Sequence, residues 1–155
     1  MDKHQKIIEQ FYTAFKEGDA ARMTSFYHSD IVFKDPAFGI LKGTKAKAMW
    51  NMLISSSKGD LKITFDHVVA DNNKGTASWT AHYNFGLKRR KVTNHVKANF
   101  EFKDDLIIKH TDNFSFKVWA RQALGLTGWI LGSTKYLQRK VQATVNSRLE
   151  HFISK

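Results

Sequence analysis

The sequence has no cysteine, a single proline and no long apolar run, and each absence excludes a class of protein. Without cysteine there is no disulfide bond, no thiolate nucleophile and no cysteine-ligated zinc or iron–sulfur site. No stretch approaches the ~18 uninterrupted apolar residues that a membrane-spanning helix needs. The N-terminal residues also lack the apolar core of a secretory signal. Nothing in the composition divides the chain, so we expect one cytoplasmic domain over residues 1–155, without a membrane span.

Acidic residues are scarce as well: there are 14 of them against 25 lysines and arginines, which gives a net charge of +11. From Lys117 onward seven basic residues face one acid, Glu150, and Lys88–Lys91 form a compact basic run. Charge runs are usually solvated turns or helix faces. The stacking aromatic residues of single-strand binders do not accompany these charges. We therefore expect no nucleic-acid partner.

The first third of the chain has the apolar spacing of helices. Residues 3–17 place apolar side chains at i, i+3, i+4 and i+7, which predicts an amphipathic helix. A short helix over about 20–27 and a brief strand over 31–33 follow. Pro36 must end this strand, because proline cannot donate a ladder hydrogen bond. A further helix is predicted over 44–55, with a threonine at its N-cap.

After this helix the apolar residues recur every second position instead of every third or fourth. Turn sequences divide this part of the chain into four segments, which predicts four consecutive strands. Four strands without intervening helices indicate an antiparallel meander. Helices return over about 117–124 and 135–152, and the apolar segment between them is interpreted as a loop. The predicted class is α+β, with helices packed on a curved antiparallel sheet around a hollow. The four strand ranges are 61–70, 75–85, 91–103 and 106–116.

Several short motifs occur along the chain: Ile7–Tyr12, Gly18-Asp19, Phe26-Tyr27, Lys34-Asp35-Pro36, Gly43-Thr44, Trp79-Thr80-Ala81, Asn94, Phe100-Glu101-Phe102, His110–Phe114 and Trp119–Gly125. These motifs resemble those of ketosteroid isomerase-like and SnoaL-like proteins of the nuclear transport factor 2-like superfamily. The resemblance implies a cone-shaped α+β barrel of three N-terminal helices on a curved antiparallel sheet, with a helical C-terminal extension over about 117–155. It also implies two partners: a small apolar molecule and a second copy of the chain in a homodimer. The superfamily contains isomerases, hydrolases, cyclases and non-catalytic binders.

The resemblance also assigns positions to catalytic groups. Ketosteroid isomerase uses an aspartate base, with a tyrosine and a protonated aspartate as oxyanion donors. The base corresponds to Asp35, but the donors correspond to Phe11 and Ala98, which have no hydrogen to donate. Losing one oxyanion donor typically costs ~10²–10³ in rate, so steroid isomerisation is not expected. The arginine of the related epoxide hydrolases is also missing from the central strands, although Asp112 could take part in a similar water site.

Strand alternation and the family register predict which side chains face the hollow. We expect Asp35, His110 and Asp112 to be the catalytic acid–base groups. No metal-ligand motif accompanies them, and we expect neither a metal nor another cofactor. The remaining predicted pocket residues are mostly aromatic: Phe11, Phe15, Tyr27, Trp50, Trp79, Tyr83, Asn94 and Phe114.

Each of these assignments has a structural alternative. Asp35 could serve only to cap the turn before Pro36, and His110 with Asp112 could form a buried pair that stabilises the sheet. Two functions therefore remain open: acid–base chemistry on a small apolar ligand, or a non-catalytic dimeric domain that binds a ligand or a protein. The apolar segment 123–137 could form a lid, pack on the sheet or seat a partner, since apolar loops are rarely left in water.

Overall fold

A computed structural model describes residues 2–57 and 59–155, and these residues form six strands and six helices. The helices are α1 (Lys3–Lys16), α2 (Ala20–Ser25), α3 (Thr44–Ser57), α4 (Phe116–Leu124), α5 (Leu126–Leu131) and α6 (Lys135–Ile153). The strands are β1 (Tyr27–Asp35), β2 (Gly39–Lys42), β3 (Lys62–Ala70), β4 (Lys74–Phe85), β5 (Arg90–Lys103) and β6 (Leu106–Asn113).

Polar side chains cap the starts of four helices, which explains where these helices begin. Asp2 accepts hydrogen bonds from the first backbone amides of α1, and Asp19 does the same for α2. Ser115 caps α4, and Thr134 caps α6. Each cap satisfies a backbone N–H that has no partner within its helix.

The six strands form one open, curved sheet in the order β2-β1-β6-β5-β4-β3. Strands β3 to β6 each pair antiparallel with the next, as the predicted meander requires. Strand β1 instead runs parallel to β6, and β2 pairs antiparallel with β1 at the edge. Register shifts in β3 and at the β5–β6 pairing bend the sheet, as bulges do. The prediction of a curved α+β cone is confirmed, with a sheet that stays open.

Helix α1 packs in the concave face of the sheet. Ile8 lies so close to the sheet that a Cβ atom on Gly75 would be 2.5 Å from its Cδ1, which explains the glycine there. At the start of the helix His4 stacks on Phe102 with the ring centroids 4.1 Å apart, and its Nδ1 donates to the carbonyl oxygen of Asp71 at 2.9 Å. These contacts fix α1 across the sheet.

The C-terminal extension packs beside the turn that follows β1. Gln138 and Gln142 of α6 each donate to the carbonyl oxygen of Pro36 at 3.0 Å, and Asn146 donates to that of Phe38 at 2.9 Å. These bonds satisfy backbone carbonyl groups of the turn, which lie outside the hydrogen-bond pattern of the sheet. Helix α6 is thereby fixed over the end of β1.

Three local predictions differ from the structure. The strand predicted over 31–33 extends over Tyr27–Asp35, and β2 was not predicted. The segment between the last two predicted helices forms α5 instead of a loop. In addition, the outward faces of β4 and β5 are polar: Thr80 contacts His95, and His82 contacts Thr93. These polar faces add no support for a homodimer, which stays a prediction from the resemblance.

In the part of the chain that the structure describes, no helix is both long and apolar enough to cross a membrane.

Candidate active site

A cavity of about 400 Å³ lies between the concave face of the sheet, α3 and the C-terminal extension. Its size is toward the lower end of the ~300–1,000 Å³ typical of small-molecule sites. Side chains that can form hydrogen bonds line part of it, among them Asp35, Tyr83, Asn94, Asp112 and Arg148. The aromatic part of the wall is formed by Phe15, Trp50, Trp79, Phe85, Phe114 and Trp119.

Asp35 is the last residue of β1, where the strand turns at Pro36. Its Oδ1 accepts hydrogen bonds from the backbone amides of Ala37 at 2.9 Å and Phe38 at 2.6 Å. Its Oδ2 accepts no hydrogen bond from the residues that the structure describes. Burial raises the pKa of Asp35 from 3.8 to about 7; the negative charge of Asp112 adds to this, and the two backbone hydrogen bonds oppose it. The carboxyl group can therefore gain or lose a proton near neutral pH.

A buried chain of hydrogen bonds connects three residues of the cavity wall, Trp50, Trp79 and Asp112, with Tyr27 and His110 beneath it. Trp50 Nε1 donates to the hydroxyl oxygen of Tyr27 at 2.8 Å, and this hydroxyl is 2.7 Å from His110 Nδ1. His110 Nε2 donates to Asp112 Oδ1 at 2.8 Å. Trp79 Nε1 donates to the same oxygen at 3.3 Å. Asp112 thus connects the buried chain with the cavity that it lines.

The donors and acceptors of this chain assign the tautomer of His110. An indole N–H can only donate, so the hydroxyl oxygen of Tyr27 is the acceptor for Trp50. The hydroxyl proton of Tyr27 then has one available acceptor, His110 Nδ1, so the imidazole proton lies on Nε2 and points at Asp112. With this arrangement Trp50 Nε1, the Tyr27 hydroxyl and both ring nitrogens of His110 are paired, as buried groups require.

Tyr83 and Asn94 supply hydrogen-bond donors to the cavity. The hydroxyl oxygen of Tyr83 accepts a hydrogen bond from Trp119 Nε1 at 2.8 Å. Burial raises the pKa of Tyr83 to about 12; the bond from Trp119 opposes this, and the charge of Asp35 adds to it. The hydroxyl group therefore keeps its proton at neutral pH. The side-chain amide of Asn94 is half-buried and makes no hydrogen bond with any described residue.

Eight of the eleven predicted site residues line the cavity, and three lie one layer deeper. The deeper ones are Phe11, Tyr27 and His110, all fully or almost fully buried. The physical reason is the bulk of Trp50, whose ring stacks on His110 with the centroids 6.0 Å apart and covers it on the cavity side. His110 therefore reaches the cavity only through Asp112.

The C-terminal extension adds cavity residues that the sequence analysis missed. Trp119 comes from α4, and Val145 and Arg148 come from α6. The i, i+3 spacing of Val145 and Arg148 places them on one helix face, but no sequence signal indicated which part of the fold this face would cover. No group of three or more histidines, aspartates or glutamates that could hold a metal ion occurs in residues 2–57 and 59–155.

Comparisons with solved structures show the fold. A candidate polyketide cyclase from Xanthomonas campestris superposes with a TM-score of 0.62 at 17% identity, covering 77% of this chain and 96% of its own. A nuclear transport factor 2-like protein of unknown function from Burkholderia pseudomallei has a TM-score of 0.63 at 13% identity, covering 74% and 92%. SalBIII, an epoxide hydrolase/cyclase-like enzyme of pyran ring formation in salinomycin, has a TM-score of 0.63 at 16% identity, covering 72% and 90%.

The comparison with curated proteins found no match. The model of the SnoaL-like domain matches residues 8–110, about two thirds of the chain. This match includes α1 to α3, most of the sheet and the residue Asp35, and it ends before the C-terminal extension. The chain belongs to the SnoaL-like domain family of the nuclear transport factor 2-like superfamily.

Proposed function

We propose that the protein is an enzyme that binds a small, mostly apolar carbonyl compound and moves a proton to or from the carbon next to the carbonyl group. The observation that carries this proposal is Asp35, a carboxyl group in an apolar cavity with a pKa of about 7 and a free Oδ2. A general base works best when its pKa is close to the working pH. The same carboxyl group caps the turn through Oδ1, which leaves Oδ2 for a ligand.

The proposed reaction begins when Asp35 Oδ2 takes a proton from the carbon next to the carbonyl. The electron pair of the broken C–H bond moves into the carbon framework, and negative charge develops on the carbonyl oxygen. The hydroxyl of Tyr83 and the amide of Asn94 supply donors for this oxygen, as in other oxyanion sites. Return of the proton to another carbon completes an isomerisation. Attack of the carbanion on a second carbonyl carbon instead forms a ring: the π bond of that carbonyl opens to an alkoxide, which takes back the proton held by Asp35.

Asp112 and His110 take a supporting part in this proposal. The charge of Asp112 raises the pKa of Asp35. His110 fixes the orientation of the Asp112 carboxylate through the 2.8 Å hydrogen bond, and Tyr27 fixes His110 in turn. Asp112 is the group through which this buried chain can reach a ligand. His110 is a positioning residue, because Trp50 separates it from the cavity.

The relatives support this class of chemistry. Solved structures with the same fold are named as candidate polyketide cyclases, and one is an epoxide hydrolase/cyclase-like enzyme. Ring closure of a polyketide requires a carbanion next to a carbonyl group, which is the species that Asp35 would generate. Epoxide hydrolysis is less well supported, because the one arginine of the six strands, Arg90, begins β5 and donates to the carbonyl oxygen of Gln122, outside the cavity lining.

Exchange of carbon-bound hydrogen for deuterium tests the proposal without the natural substrate. The protein is incubated in D₂O with 1-tetralone, 1-indanone or acetophenone, and loss of the α-proton signal is followed by NMR. We expect wild-type protein to accelerate exchange of at least one ketone. Asp35→Asn should reduce this acceleration by ~10²-fold or more, the usual contribution of a general base. The exposed Asp66→Asn on β3 is the matched control and should exchange like wild type.

The alternative is a non-catalytic ligand-binding domain that uses the same cavity. It predicts that the ketones bind, seen as chemical-shift changes of cavity residues, while wild type and Asp35→Asn exchange them at the same rate. If wild type and Asp35→Asn exchange each of the three ketones at the same rate, the enzymatic proposal is contradicted.

A further inference from the structure

An apolar patch lies on the surface of the C-terminal extension, outside the candidate active site. It consists of Leu126, Trp129 and Ile130 of α5 and Tyr136 of α6, and these four residues define the α5 patch. Their exposed fractions are 75%, 62%, 66% and 64%. Single exposed apolar residues are common, but a cluster of this kind usually marks an interaction surface.

The packing of α5 on α4 forces this patch outward. Gly128 lies against the backbone carbonyl of Ala120 so closely that a side chain at Gly128 would collide with it. One side of α5 is therefore pressed onto α4. Leu126, Trp129 and Ile130 have the i, i+3, i+4 spacing of one helix face, and all three are exposed.

Positive charge surrounds the α5 patch. The guanidinium of Arg121 lies 4.2 Å from the ring centroid of Trp129, and Lys140 Nζ lies 5.9 Å from that of Tyr136. From Lys117 to the C-terminus there are seven basic residues and one acid, Glu150. Glu150 pairs with Lys45 of α3 at 2.6 Å, away from the patch residues. The face thus combines large apolar side chains with an excess of cations.

We propose that the α5 patch docks on the surface of an anionic lipid bilayer. Tryptophan and tyrosine favour the headgroup level of a bilayer, and leucine and isoleucine reach the acyl boundary in amphipathic surface helices. Basic residues around them are attracted by anionic lipids. A second copy of the chain fits less well, since two such faces would oppose like charges. The apolar centre also does not match the phosphate backbone of a nucleic acid.

The position of the α5 patch connects it with the candidate active site. A second cavity of about 440 Å³ is lined by Leu124, Leu131, Tyr136 and Lys140, among others. Phe85, Trp119, Val145 and Arg148 line both this cavity and the first one. The docked patch would therefore bring the bilayer to the mouth of an apolar route toward Asp35. This last step rests on the proposed function, whereas docking itself does not.

Vesicle binding of the full chain tests the docking. Sedimentation with vesicles of phosphatidylcholine and phosphatidylserine in a two-to-one ratio is compared with pure phosphatidylcholine, without any ketone. We expect binding to the anionic vesicles that weakens with added salt, and quenching of Trp129 by brominated acyl chains. The double variant Trp129→Ser/Ile130→Ser should weaken binding by about tenfold or more, because it has lost two apolar side chains that wild type transfers from water into the bilayer. Lys140→Glu should weaken it by about fivefold or more.

A matched control is available on the two edge strands of the sheet. Ile40 of β2 and Val69 of β3 are also exposed apolar residues, and Ile40→Ser/Val69→Ser should bind vesicles like wild type. Three results would overturn the proposal: no binding to anionic vesicles, unchanged binding of Trp129→Ser/Ile130→Ser, or equal binding to neutral vesicles. A dimer that only the patch variant dissociates, without vesicle binding, would assign the patch to a second copy instead. Circular dichroism verifies that each variant is folded.

Discussion

Replacing Asp35 by asparagine should make the folded protein more stable at pH 8 and leave its stability almost unchanged at pH 4. The pKa of the carboxyl group is about 7 in the folded protein against 3.8 as its usual value. Between these two values the folded state holds a proton that the unfolded chain has lost. Unfolding then releases a proton, so the free energy of unfolding of wild type falls as the pH rises through this window. Asparagine cannot titrate, so the variant lacks this pH-dependent fall in the free energy of unfolding.

The magnitude follows from the size of the pKa shift. A rise from 3.8 to about 7 is close to three units, and each unit corresponds to about 1.36 kcal/mol, which gives about 4 kcal/mol. The Oδ1 atom of asparagine can still accept the hydrogen bonds from Ala37 and Phe38. The variant should therefore resemble the neutral acid in shape and bonding. Its advantage over wild type should grow from near zero at pH 4 to about 4 kcal/mol at pH 8.

Urea unfolding followed by tryptophan fluorescence measures this difference at pH 4, 6 and 8. Taking the difference between wild type and Asp35→Asn removes the contributions of all other titrating groups that the two proteins share. Asp66→Asn, at an exposed position, serves as the control and should show no such trend. A constant loss of stability at all three pH values would refute the argument. Asp35 would then be an ordinary turn cap, the structural alternative left open by the sequence.

The remaining predictions concern the buried chain and the assembly. Asp112→Asn should lower the free energy of unfolding by about 1–3 kcal/mol, because the buried His110 loses a charged partner. Tyr27→Phe should lower it by a similar amount, since it leaves Trp50 Nε1 without an acceptor and His110 Nδ1 without a donor. Chemical denaturation of both variants measures these losses, and a loss below the experimental error would contradict the two predictions. The protein should not isomerise a Δ5-3-ketosteroid at an enzymatic rate, and turnover abolished by Asp35→Asn would disprove this. Sedimentation equilibrium should detect a homodimer at micromolar concentration; a 17.8 kDa species at high concentration would exclude it.

The faces of the central strands could be predicted from the sequence alone. A strand with one face on the core alternates with a strict period of two, so a correct register assigns every side chain. Trp79 and Tyr83 point to the cavity and His82 points outward, as the alternation predicted. Asp112 likewise lines the cavity. Asp35 could be named because its position in the sequence corresponds to the aspartate base of the related isomerases.

The depth of each side chain within the hollow could not be predicted. His110 has the inward orientation that the alternation gives, but Trp50 of α3 covers it, and this depends on how the helix packs on the sheet. Arg148 reaches the cavity from a helix far along the chain, and no local pattern encodes such a contact. Three glycines made the α5 segment resemble a loop, whereas the packing of Gly128 on α4 stabilises a helix there. Tertiary packing overrode local propensity in each case.

The most direct test of the proposed site is a pH titration of the Asp35 carboxyl carbon by NMR. Uniformly ¹³C-labelled protein would be titrated from pH 3 to pH 9, with the spectrum of Asp35→Asn identifying the signal. We expect the inflection at about pH 7, with the proton retained well above the usual aspartate range. An inflection near 4 would show that the cavity does not hold this carboxyl group ready for proton transfer at neutral pH, and the proposed acid–base function would fail with it.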